Sequence, residues 1–141
     1  MKLNPYLNFN GNAEEAFKFY QLVFGGELAI LRMSEAPGTE NLPEQEKGLV
    51  MHISLPVGDG QCIMASDCVE SMGHQLTIGN NNYISLFTDS REHTDRIFNG
   101  LSAGGQIEVP LDDMFWGDYF GSFKDKYGVC WMINYPKSQQ A

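Results

Sequence analysis

Two glycine pairs, Gly25-Gly26 and Gly104-Gly105, each close a stretch of helical periodicity, and they stand 79 residues apart. Laying one over the other also brings Leu7 onto Leu86, Phe19 onto Phe98, Leu22 onto Leu101 and Leu28 onto Ile107. The first helical run, NAEEAFKFYQLVF, spaces Ala16, Phe17, Phe19, Tyr20, Val23 and Phe24 as an apolar face. Asn12 stands as its N-cap, with Glu15 three residues on to complete a capping box. The second run, DSREHTDRIFNGLSA, offers Asp89 or Ser90 as cap and Ile97, Phe98 and Leu101 as the stripe. A strand-like run precedes each helix, PYLNFN and NYISLFT, and β-rich segments follow. The chain therefore reads as two copies of a βαβββ unit.

The predicted strands are about 4–9, 27–34, 49–57 and 61–67 in the first unit, and about 82–88, 106–110, 118–124 and 129–135 in the second. The polar, proline-bearing stretch 34–48 reads as a long surface loop. The fold class expected is α+β, two βαβββ modules forming a curved mixed sheet around a cavity. Module one covers about 1–67, a linker about 68–81 and module two about 82–137, all within a single domain of 141 residues. A chain of that length buries about two-thirds of its unfolded surface.

If one helix covers one face of each sheet, alternate strand residues divide between helix side and open side. Leu7 and Phe9, Met51, Ile53 and Leu55, Ile63 and Ala65, Ile84 and Leu86, and Val129, Trp131 and Ile133 are assigned to the helix side. That leaves Asn4, Tyr6, Asn8, His52, Ser54, Cys62, Met64, Ser66, Tyr83, Ser85, Phe87, Cys130, Met132 and Asn134 on the open side. These residues are amide, hydroxyl, thioether and aromatic, almost without charge. A solvated antiparallel face carries Lys, Glu and Thr instead, so the open faces suit an organic ligand held by a few hydrogen-bonding groups.

The formal net charge of −9 repels a phosphate backbone and anionic lipid, which argues against nucleic-acid and membrane partners. No apolar run reaches the roughly 20 residues of a membrane span, and the N-terminal MKLNPYLNF lacks a signal-peptide pattern, so a cytoplasmic location is expected. Three cysteines without CxxC spacing argue against a disulfide framework or a structural zinc site.

His52 is the one histidine on a predicted strand, and it points to the open face. It is the best candidate for a general base or hydrogen-bonding group near neutral pH. His74 and His93 fall in a loop and at a helix start. Asp67 closes a strand, where it caps a turn or touches a ligand. Asp118 lies among aromatics, on a face that the register leaves open. Asp125 to Gly128 reads as a tight hairpin turn, with glycine supplying positive φ. Phe115, Trp116, Tyr119 and Phe120 are large and amphipathic enough to line a cavity mouth or anchor a dimer.

The words PYLNFNGNAEEAFKFYQLVFGGEL, HISLPVGDGQCIMASD and FWGDYFGSFKDKYGVCWMINY, together with the paired βαβββ units, resemble the vicinal oxygen chelate superfamily. That superfamily includes glyoxalase I, extradiol dioxygenases and bleomycin-resistance proteins. Within it the chain is similar to the PhnB-like branch, also labelled a 3-demethylubiquinone methyltransferase-like family. The resemblance implies four metal-ligand positions, one each on the first and last strands of each module, which fall here on Asn4 (or its neighbour Pro5), Met64, Tyr83 and Met132. One amide, one phenol and two thioethers make a poor set for a divalent ion, so no metal is expected. Nor does the single glycine of FNGNAEEAF suit a nucleotide-type cofactor such as S-adenosylmethionine; no cofactor is expected.

The function expected is metal-independent binding of a small organic molecule by Tyr6, His52, Met64, Tyr83, Phe87, Trp116 and Met132, in a homodimer of the glyoxalase/bleomycin-resistance type. Two rivals stand beside it. One is a lyase or isomerase with His52 as acid–base group, and the other a non-catalytic dimer module.

Overall fold

The computed structural model describes residues 1–136. Its elements are β1 (Tyr6–Phe9), α1 (Ala13–Phe24), β2 (Ala29–Arg32), α2 (Glu44–Lys47), β3 (Val50–Gly58), β4 (Gln61–Asp67), β5 (Ile84–Phe87), α3 (Arg91–Ser102), β6 (Gln106–Asp113), β7 (Tyr119–Lys124) and β8 (Cys130–Tyr135). They build two four-stranded mixed sheets, ordered β1-β4-β3-β2 and β5-β8-β7-β6. In each sheet the first strand runs parallel to the last, and the other pairings are antiparallel. The α+β class and the duplicated βαβββ order are thus present, as two separate sheets. Two compact units divide between Thr77 and Ile78.

In the first unit α1 lays Ala13, Ala16, Phe17 and Tyr20 against a core of Phe9, Val50, Ile53, Leu55, Ile63 and Ala65, all buried. Phe9 and Tyr20 both meet the Phe17 ring edge-on, at 6.2 and 5.5 Å between centroids. The start of α1 differs from expectation, because Asn12 makes no side-chain cap hydrogen bond. The cap comes from the end of β4 instead. Asp67 Oδ1 accepts from the backbone N–H of Gly11 (3.1 Å) and Ala13 (2.9 Å), and its Oδ2 accepts from Val50 N–H (2.9 Å). A carboxylate is a stronger acceptor than the Asn12 amide and complements the positive helix end. Asp67 is therefore a buried structural residue and not a ligand contact.

Two further expectations shift for packing reasons. Met51 is exposed, because β3 bulges opposite the Leu31–Arg32 step and Val50 takes the buried place. The 79-residue offset also fails on the helices. The buried set Ala13, Ala16, Phe17 and Tyr20 matches Thr94, Ile97, Phe98 and Leu101 with an offset of 81, and Leu22 is 86% exposed where Leu101 is fully buried. Nor is stretch 34–48 wholly a surface loop. Ala36 and Glu46 are buried, and the Glu46 carboxylate accepts from both the backbone N–H and the hydroxyl of Ser71.

Arg32 on β2 holds Glu14 on α1 through two hydrogen bonds of 2.8 and 3.2 Å, with Lys18 3.2 Å away. This hydrogen bonding to Arg32, then to Lys18, lowers the Glu14 pKa from 4.5 to about 2. A carboxyl depressed in the folded state stabilises above its unfolded pKa, and that contribution fades as pH falls through the folded value. Glu14→Gln should therefore show a shallower loss of melting temperature than the parent between about pH 4.5 and about pH 2, measured by thermal unfolding at low salt. Parallel slopes would show that the pair contributes nothing.

In the second unit α3 covers β7 and β8 with Thr94, Ile97, Phe98 and Leu101. Ser90 is its cap and accepts from His93 N–H at 3.0 Å. The Asp125–Gly128 turn forms with Gly128 at φ +90°. Asp125 does more than turn the chain. It is buried, its Oδ1 accepts from Tyr127 and Val129 N–H, and its Oδ2 accepts from the Trp131 indole N–H at 2.8 Å. Strand β6 runs three residues past its predicted end, because two bulges absorb its extra residues against β7. As an edge strand it tolerates Pro110.

Candidate functional site

The face of the first sheet away from α1 is built in rungs. Tyr6 on β1, Met64 on β4, Ser54 on β3 and Ala29 on β2 share one rung by register. Asn8 and Ser66 form the next rung on one side, and Cys62 lies on the same face on the other side. His52 pairs with Leu31 on this face. Tyr6 reaches past β4 to place its hydroxyl 3.1 Å from His52 Nδ1, with the rings 5.7 Å apart. With the phenol donating to Nδ1, His52 keeps its proton on Nε2 and presents it as a donor. In the other tautomer Nδ1–H donates to the phenol oxygen, and Nε2 becomes a base. None of these strand residues carries a formal charge.

The second sheet repeats the pattern. Ser85, Met132, Ser122 and Val109 form one rung, and Phe87, Asn134, Phe120 and Asp112 the next. The last strands of the two units thus present matching words, Cys62-x-Met64-x-Ser66 and Cys130-x-Met132-x-Asn134, with Ser54 and Ser122 opposite each methionine. The repeated C-x-M was a sequence signal for equivalent positions.

Here charge does appear, contributed by strands β6 and β7. Lys124 shares a rung with Cys130 and Gln106, and the Tyr83 hydroxyl donates to Glu108 Oε1 at 2.8 Å. The Glu108 carboxylate holds that proton in place and raises the Tyr83 pKa above 10.0. Burial likewise pushes the Cys130 thiol upward. Tyr83 precedes β5, and Glu108 lies on β6 at the opposite edge. Their contact joins the two edges of the sheet across its open face.

Of the predicted ligand residues, Tyr6, His52 and Met64 stand together on the first sheet, and Tyr83, Phe87 and Met132 share the open face of the second. Trp116 lies in the turn before β7, with its ring 5.0 Å from Phe115 and 6.0 Å from Phe120. Asp118, whose placement register reasoning left open, accepts from Asn134 Nδ2 at 3.1 Å. Phe120, offered by the sequence as part of a cavity mouth, stands on this face beside Asn134, whereas Tyr119 is buried and donates to Asp95 on α3. Sequence reasoning did not assign Glu108 to the site, because the bulges of β6 hide it.

Residues 1–134 match the family model described as 3-demethylubiquinone-9 3-methyltransferase. The chain belongs to that family. It is 35% identical over 152 residues to protein YjdN of Escherichia coli K12, covering 99% of this chain and 98% of that one. Protein PA1353 of Pseudomonas aeruginosa superposes with a TM-score of 0.84 at 38% identity, covering 96% and 97% of the two chains. The PhnB protein of Bacillus cereus superposes with a TM-score of 0.75 at 28% identity, covering 96% and 99%. A glyoxalase/bleomycin resistance protein/dioxygenase family enzyme of Burkholderia phytofirmans, at 16% identity and TM-score 0.58 over 93% and 96%, shares the fold. The chain is thus a PhnB-like protein that shares its fold with a glyoxalase/bleomycin resistance protein/dioxygenase family enzyme.

The family's description implies a methyl donor, and the superfamily implies a metal. The residues present suit neither. S-adenosylmethionine is a charged, nucleoside-bearing molecule of the kind usually cradled at a strand-to-helix turn. In this 3-demethylubiquinone-9 3-methyltransferase family member the β1–α1 turn gives its Gly11 and Ala13 N–H groups to Asp67, so neither donor is left to hold a cofactor. For a metal, the superfamily positions offer the Asn4 amide, the Met64 and Met132 thioethers and a Tyr83 phenol whose proton Glu108 retains. Hard and borderline divalent ions favour carboxylate, imidazole or thiolate over such donors. Among the described residues, no group of three or more His, Cys, Asp or Glu could hold a metal ion.

Proposed function

We propose that this protein binds a small, partly apolar organic molecule on the open faces of its sheets without using a metal ion. The observation that carries the reading is the Tyr6–His52 pair. A hydroxyl and an imidazole are hydrogen-bonded to each other on a face otherwise made of Met64, Ser54, Leu31 and Asn8, with no charge beside them. Tyr6 remains 47% exposed and Leu31 39% exposed, an uneconomical arrangement unless something covers them. On the second unit's own open face, Tyr83, Phe87, Trp116 and Met132 belong to the same reading as a surface of the same kind. A fold shared with glyoxalase/bleomycin-resistance proteins supports it. The protein acts in the cytoplasm as a homodimer, in which an exposed residue such as Phe115 finds its cover.

The test is a screen of neutral aromatic and heteroaromatic fragments against protein dialysed with a chelator, read by amide shifts in two-dimensional NMR. Hits on the first sheet should move the amides of His52 and Met64, and hits on the second those of Met132 and Phe87. Tyr6→Phe and His52→Ala should each weaken binding by about tenfold, the scale of one lost hydrogen bond to the ligand. Binding that vanishes on chelation and returns with Zn²⁺ would overturn the proposal.

The same hydrogen bond favours one second reading, a lyase or isomerase in which His52 moves a proton. Its partner is a phenol and not a carboxylate, so Tyr6 sets the tautomer and His52 Nε2 meets the substrate. Unchanged turnover in His52→Ala, once a substrate is known, removes it.

A further inference from the structure

One end of the second sheet's open face has a chemistry that the rest of that face lacks. The rung Asp112–Phe120–Asn134–Phe87 places two phenyl rings on either side of an amide. Adjacent strands lie ~4.8 Å apart, so Phe87 and Phe120 stand ~10 Å apart with Asn134 as the floor between them. Asn134 is only 7% exposed and is fixed by donating Nδ2–H to Asp118 Oδ2, which keeps a carboxylate at the slot. The Trp116 ring leans against Phe120 at 6.0 Å, and Phe87 is 67% exposed. Asp112 adds a second carboxylate on the β6 side. Among the described residues of this unit, Arg91 and Lys124 stand away from the rung. Arg91 is bound to Asp113 and lies over the Tyr119 ring, whose register is opposite to that of Phe120. Lys124 is on the open face but four residues along β7, ~13 Å away.

Electron-rich ring faces and two carboxylates, with no basic side chain on the rung, attract a cation and repel an anion. A quaternary or primary ammonium group is also small enough to enter between the rings. We infer that the slot between Phe87 and Phe120, backed by Asn134 and Asp118 and edged by Trp116, binds the ammonium end of an organic cation. This rests on the reading of the open faces as ligand surfaces and narrows its ligand class. The overall charge of −9 draws such a ligand in from solution.

The test uses choline and its uncharged tert-butyl isostere, neohexyl alcohol, each titrated into the full chain and followed by NMR amide shifts and tryptophan fluorescence. Choline should move the amides of Phe87, Phe120 and Asn134 and bind about tenfold more tightly than neohexyl alcohol, the scale of a cation–π contact. Phe120→Ala and Asp118→Asn should each cost about tenfold, with circular dichroism and thermal unfolding showing that both variants are folded. High salt should weaken choline alone. Equal affinity of the two probes at these amides would overturn the cation assignment while leaving small-molecule binding intact. Choline shifts at other amides, affinity unchanged in both variants, or no choline binding at all would overturn the site. None of those outcomes bears on neutral fragments binding beside His52 and Met64, which decide the broader proposal separately.

Discussion

Replacing Asp67 with Ala is expected to lower the stability of the first unit by roughly 3–5 kcal/mol, the cost of leaving two or three backbone donors without an acceptor at ~1–3 kcal/mol each. Two of those donors, Ala13 and Val50 N–H, are buried, and the third, Gly11 N–H, is partly so. The effect should exceed that of an ordinary lost helix cap, about 1 kcal/mol, because the same carboxylate also holds the start of β3. Asp67→Asn keeps an oxygen for Gly11 and Ala13 but turns an amide N–H toward Val50 N–H, so an intermediate loss is expected. Urea unfolding gives the magnitude, and amide hydrogen exchange at Gly11, Ala13 and Val50 gives the location. A midpoint shift under about 0.5 kcal/mol, typical of a surface substitution, would contradict this account of the residue.

Gly121→Ala should also be costly, through space alone. Gly121 pairs with Ile133 on the helix-facing row of β7. A Cβ there would lie 2.6 Å from Phe98 Cε2, 2.9 Å from the Val109 carbonyl oxygen and 3.0 Å from Leu111 N. The Phe98 ring cannot simply swing aside, because it packs edge-on against Phe123 at 5.0 Å. The other two atoms are backbone on β6. Overpacking of this kind costs about 1–3 kcal/mol, and more where backbone must move. The double variant Gly121→Ala with Phe98→Leu should recover part of the loss, since it relieves the ring clash but not the β6 clashes. No change in unfolding midpoint for Gly121→Ala would mean that β6 yields freely.

Both modules, and the assignment of Ile53, Leu55, Ile63, Trp131 and Ile133 to the core, were legible because strand alternation is a local rule enforced by burial. What the sequence could not show are contacts between distant residues. Asn12 with Glu15 satisfies the local grammar of a capping box, yet the cap arrives from residue 67. Met51 fits the alternation of its neighbours, yet a bulge shifts it outward. Leu22 aligns with Leu101 on paper, yet α1 turns a different side to its sheet. The site follows the same division. His52, Met64 and Met132 could be assigned to the open face from parity. The Tyr6–His52, Tyr83–Glu108 and Asp118–Asn134 hydrogen bonds join residues 46, 25 and 16 positions apart. No spacing rule forecasts such partners.

The parallel pairing of each unit's first and last strands also has a consequence for how the protein is made. Tyr6 waits for Met64, 58 residues later, and Ile84 for Trp131, 47 residues later. Strands that close so late make folding slow relative to a chain of local hairpins. During synthesis β1 emerges from the ribosome long before its partner exists, and α1 emerges without the acceptor for its leading amides. Asp67 is the final residue of β4, so one residue both ends the first sheet and supplies that acceptor. The first unit can close only when nearly half of the chain has been translated.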